Sequence, residues 1–171
     1  MIADSYIVPE CVVGPGSFGG LMALYESNYI KLGMLIGDAC LPDHCCASTA
    51  RKDCDLYLAV EASARYTQVL RMTYLFEEGD DVVADPDLVI RVYLDARMAE
   101  VAGWAAHHRH AVLRGLEERF GRELDRRWSR NMMLSKWLDY LLESGHKFGE
   151  SMPLADAVNG RFARDRSLQF A

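Results

Sequence analysis

The stretch PDLVIRVYLDARMAEV, from Pro86 to Val101, sets four charges, Arg91, Asp95, Arg97 and Glu100, in and just after a strongly apolar run. Leu88, Ile90, Val92 and Leu94 alternate with Val89, Arg91, Tyr93 and Asp95. A period of two is the pattern of a half-buried strand, one face in a core and the other carrying polar groups. Two runs upstream share it. Leu56, Leu58, Val60, Ala62 and Ala64 alternate with Tyr57, Glu61, Ser63 and Arg65, and Leu70, Met72, Tyr74 and Phe76 alternate before the charged turn Glu77 to Asp81. Three successive strands with short links predict an antiparallel meander. Beyond Asp95, Met98, Val101, Ala102 and Ala105 fit either a helix with Asp95 as N-cap or a bent strand. The helix is the preferred expectation; the strand would make the meander four-stranded.

Helices flank the meander. Leu21, Leu24, Tyr25, Tyr29, Leu32, Leu35 and Ile36 recur at helical spacing and predict a helix over about Gly19 to Ile36. A long loop, Gly37 to Lys52, follows. Downstream, Leu113, Leu116 and Phe120 mark one amphipathic segment. Leu124, Trp128, Leu134, Trp137, Leu138, Leu141 and Leu142 mark a longer one that ends at Gly145, a C-terminal cap. The expected class is α+β: an N-terminal helix, a three- or four-stranded antiparallel meander, and long C-terminal helices packed on one face. Residues 1–18 read as a leader, 19–146 as one domain and 147–171 as a tail.

The chain has 171 residues with a formal charge of -6, which argues against nucleic-acid binding through phosphates, since that needs a positive surface. The charge is uneven: residues 1–60 sum to -4, 61–104 to -5 and 105–171 to +3, so an anionic partner finds its match in the C-terminal third. The first twenty residues hold no basic n-region, so no secretory signal is expected, and no apolar run reaches the roughly 20 residues that span a bilayer. Five cysteines, an odd number with Cys45 and Cys46 adjacent, fit reduced thiols; the expected compartment is the cytoplasm.

Four segments carry a family resemblance: LYESNYIKLGMLI (Leu24 to Ile36), ARYT (Ala64 to Thr67), IRVYLDARMAEV (Ile90 to Val101), and the pattern Asp125, Arg127, Asn131, Leu134, Trp137, Leu138. Over about Leu21 to His146 the chain resembles the YqiB-like family, small proteobacterial cytosolic proteins with a domain of unknown function. The resemblance implies a domain and a compartment, not an activity. Leu94 stands where the family carries a His, LRGLEERFGREL (Leu113 to Leu124) replaces a Tyr-Asp-Tyr-Pro-Asn loop, and Arg127 replaces a Lys. Arg keeps the charge but, staying protonated, cannot act as nucleophile or base.

The shared constellation gives the candidate ligand or partner site: Arg65, Tyr66, Arg91, Tyr93, Asp95, Arg97 and Glu100, with Asp125, Arg127 and Asn131. It reads either as a polar pocket or as a structural ion-pair network, and the network is preferred. Arg119, Arg122, Arg126 and Arg130 recur every three or four residues as a stripe for an anionic partner, although Glu118 and Glu123 stand four residues before Arg122 and Arg127, the order for intrahelical pairs. A solvated, salt-laced face is the preferred reading of that stripe. Weaker constellations take structural readings first. Cys40, His44, Cys45, Cys46 and Cys54 lack finger or ribbon spacing and read as free thiols rather than a zinc site. His107, His108 and His110 read as a solvated helix start. Gly14, Gly16 and Gly19 match a phosphate-loop spacing, but Pro15 removes an amide and no βαβ unit follows.

The leading expectation is a binding, adaptor or regulatory module for a protein or an anionic small molecule, monomeric or homodimeric, with no cofactor and no membrane or nucleic-acid partner. One alternative is a hydrolase of a phosphorylated metabolite with Asp95 or Glu100 as base and Arg91 or Arg127 as phosphate clamp. The other is a zinc-stabilised structural module.

Overall fold

In the computed structural model, residues 16–37, 45–79, 81–104 and 122–148 are described. They form helix α1 (Phe18–Ile36), strands β1 (Cys45–Ser48), β2 (Leu56–Ser63), β3 (Thr67–Glu78), β4 (Asp81–Tyr93) and β5 (Met98–Trp104), and helix α2 (Glu123–Glu143). The strands make one antiparallel sheet in sequence order, β1-β2-β3-β4-β5. Register follows the apolar alternation. Leu58 lies opposite Met72, Val60 opposite Leu70, Leu70 opposite Ile90, Met72 opposite Leu88, and Ile90 opposite Val101. These side chains are buried with Leu32, Leu35 and Ile36 of α1 and Leu134, Leu138 and Leu141 of α2.

The sheet has five strands rather than three or four, and only two helices occur among the described residues. The segment after Asp95 is β5, not a helix. Asp95 therefore caps no helix: its carboxylate accepts the Ala96 N–H within a turn, and Arg97, at φ 53°, turns the chain back on β4. Pairing with β4 then seals Ala99 and Val101 in the core, a reward that local spacing does not register. The fifth strand, β1, comes from the long loop, where four residues pair with β2. The amphipathic segment expected around Leu113 to Phe120 lies outside the described residues, as do residues 1–15 of the leader and 149–171 of the tail.

The two helices run parallel, because contacts climb both together: Asn28 meets Asn131, and Lys31 meets Ser135 and then Asp139. Ser17 caps α1 by accepting the Gly20 N–H. Gly145, at φ 87°, ends α2 as expected: its N–H reaches the Leu142 carbonyl and the His146 N–H reaches that of Leu141, a Schellman pair. The chain then turns back so that Phe148, fully buried, donates its N–H to the Leu35 carbonyl. Charge is buried on the other face of the sheet too. Arg71 donates through Nε at 2.7 Å to Asp87 and pairs with it again through Nη2, both residues almost fully buried beside Thr73. No helix among the described residues is long and apolar enough to cross a membrane.

Candidate functional site

Glu100, on edge strand β5, is where α1, β4, β5 and α2 meet. Its side chain is 7% exposed. Oε2 accepts from the Tyr25 hydroxyl at 2.9 Å and from Arg127 Nη1 at 3.2 Å, and Oε1 accepts from the Tyr93 hydroxyl at 2.7 Å. Arg91, the direct cross-strand neighbour of Glu100, brings Nη1 to 3.8 Å from Oε1, an ion pair without a hydrogen bond. Burial, and then the hydrogen bond to the Glu100 carboxylate, push the Tyr25 hydroxyl up to about 12. The Glu123 side chain, one turn back on α2, accepts from Arg127 Nε at 2.9 Å; this bond holds Arg127 more firmly protonated and draws the Glu123 carboxyl below its ordinary range.

One helical turn further, Asn131 does structural work. Its Oδ1 accepts the Val101 N–H at 3.0 Å, capping a backbone donor of the edge strand, and its Nδ2 donates to the Arg127 carbonyl at 2.8 Å. Asn28 reaches the Asn131 backbone carbonyl from α1 at 3.3 Å. Beyond it, Lys31 Nζ donates to Ser135 Oγ and Asp139 Oδ2, both at 2.7 Å. These buried polar groups are satisfied mostly by one another, as a network that fixes the helix pair needs to be.

The rim of the site is built by two turns held side by side, the Leu94 N–H donating to the Tyr66 carbonyl at 2.8 Å. Tyr66 and Leu94 are exposed, and the Arg65 guanidinium sits over the Tyr66 ring, 4.9 Å from its centroid. Arg91 and Arg127, with side chains 45% and 47% exposed, lie on the solvent side of the buried Glu100 carboxylate.

The candidate constellation is thus divided. Arg91, Tyr93, Glu100 and Arg127 converge; Arg65, Tyr66, Asp95 and Arg97 lie on the turns; Asn131 faces β5; and Asp125 accepts from Arg122 at 2.9 Å. Within the arginine stripe, Arg122 pairs with Asp125 and Arg126 with Glu123, Arg130 is partly buried, and Arg119 lies outside the described residues. Cys45, Cys46 and Cys54 form no disulfide among the described residues, the Cys46 thiol is pushed up by burial, and no group of three His, Cys, Asp or Glu able to hold a metal occurs among those residues. Cys40, His44, His107, His108, His110 and Gly14 lie outside them; Gly16, at φ 76°, precedes the cap of α1, and Gly19 is in its first turn. Tyr25 was not among the candidates, although a tyrosine on the buried stripe of a helix signals a hydroxyl in need of a partner.

Sequence reasoning also missed a second cluster. His146, its side chain fully buried, places Nδ1 3.2 Å from Ser48 Oγ and Nε2 3.1 Å from Asp53 Oδ2, and the Tyr74 hydroxyl donates to the same Asp53 oxygen at 2.7 Å. Burial pushes the Asp53 carboxyl up, but hydrogen bonds from Tyr74, the Cys54 N–H, His146 and Tyr140 outweigh it and hold the group below the carboxylate range. The order Ser, His, Asp is that of a nucleophilic relay. Ser48, however, is 3% exposed and its Oγ already accepts the Lys147 N–H at 2.9 Å, so the cluster clamps the end of the described chain to β1.

Residues 31–147, which hold the whole Glu100 cluster except Tyr25, match the model of a family described as protein of unknown function, DUF1249. No curated protein and no solved structure matches the chain.

Proposed function

We propose that this chain, which belongs to the DUF1249 family, works by binding, as an adaptor or regulatory module that takes an anionic group of a protein or small-molecule partner at the Arg91 rim. The observation that carries this reading is the state of Arg91. Its guanidinium is nearly half exposed, meets Glu100 only at 3.8 Å, and makes no hydrogen bond among the described residues. A guanidinium has five N–H donors in a planar fork, so an incoming oxyanion finds donors already facing solvent and held near their place by the carboxylate behind them. Tyr and Arg are the residues that anchor protein interfaces, and both Arg91 and Tyr66 are exposed. The cytoplasm is the compartment that the reduced-thiol composition favours.

A phosphoester hydrolase draws less support, because its candidate bases are engaged: Asp95 accepts the Ala96 N–H, and Glu100 accepts three hydrogen bonds. The binding reading is tested by native pull-down and native mass spectrometry of the wild-type chain beside Arg91→Ala. The expected result is a protein or anionic ligand retained by the wild type and released by the variant at unchanged melting temperature. Equal retention by both, or none by either, refutes it.

A further inference from the structure

We draw no further inference here: the strongest candidate, the buried cluster of Ser48, His146 and Asp53 where β1 meets the end of α2, belongs to the clamp already described, with Ser48 3% exposed and its Oγ taken by the Lys147 N–H.

Discussion

Asn131→Asp should turn a pH-indifferent link into a pH-dependent one, because the two polar atoms of this amide face opposite requirements. Oδ1 accepts the Val101 N–H at 3.0 Å, and a carboxylate oxygen does that equally well; Nδ2 donates to the Arg127 carbonyl at 2.8 Å, and a carboxylate oxygen there meets another acceptor. The position is fully buried. Burial together with the acceptor contact raises the pKa of the introduced carboxyl, and a rise of about 2–3 units corresponds to about 3–4 kcal/mol between its protonated and ionised forms. A folded-state pKa above the unfolded value of about 3.9 means that stability is fully present below that value and is lost as pH rises through the folded pKa. At about pH 4 the variant, donating a carboxylic O–H to Arg127, should lie within about 1 kcal/mol of wild type; at about pH 8 it should lie about 3–4 kcal/mol below. Asn131→Ala is the control: it leaves the Val101 N–H without its acceptor and should cost about 1–3 kcal/mol at every pH. Urea unfolding followed by tryptophan fluorescence reads both, since Trp137 of α2 packs on the Tyr74 ring at 5.6 Å. A difference between Asn131→Asp and wild type that stays flat across the range would refute the assignment of the amide.

Leu138→Ala, at a fully buried position between α2 and the sheet, should cost about 2–5 kcal/mol in the same urea assay. Arg127→Ala should cost less, about 1–2 kcal/mol, because the guanidinium is half exposed and Glu100 keeps Tyr25 and Tyr93; a loss equal to that of Leu138→Ala would mark Arg127 as an indispensable buried partner. On the alkaline side, a tyrosine raised to about 12 contributes stability that is present below the unfolded value near 10 and declines as pH rises toward 12; Tyr25→Phe should remove one late-titrating phenol from the ultraviolet absorbance titration. On the acid side, Asp53 is held low, so its contribution is present above the unfolded carboxylate pKa and is lost as pH falls through the folded one; Asp53→Asn should flatten the acid limb of a plot of urea midpoint against pH.

Periodicity made α1, β2, β3, β4 and α2 legible, since each buries a stripe whose spacing is written locally. It failed where a partner decides. Met98 to Trp104 has too few residues to separate a period of 2 from one of 3.6, and only pairing with β4 settles it. Cys45 to Ser48 has no alternation to read and is a strand because β2 offers it an edge. The site divides in the same way. Arg91 and Glu100 lie in one readable hairpin, but the Tyr25 hydroxyl is 75 residues from Glu100, and His146 is 98 from Ser48. Those separations close only when the sheet places α1 parallel to α2, and no spacing rule encodes that.

Why an apolar hairpin carries these charges follows from which of them are buried. Arg71 and Asp87 satisfy each other on one face, and Glu100 gathers donors from two helices and the neighbouring strand, so a one-residue slip of β5 would part Glu100 from Tyr25, Tyr93 and Arg127 together. Buried charge of this kind is a poor source of net stability but a strong penalty on wrong registers. The same carboxylate fixes what is left outside. With Glu100 held by Tyr25, Tyr93 and Arg127, the Arg91 guanidinium is attracted to a defined place without being saturated, which is the condition for binding an oxyanion at low cost in side-chain entropy. Glu100→Gln should therefore weaken retention of an anionic partner at Arg91, because it removes the charge that orients Arg91, while one of the Tyr25 and Tyr93 hydroxyls can still donate to its amide oxygen and the other can accept from its amide nitrogen. Retention equal to wild type would show that Arg91 needs no such positioning.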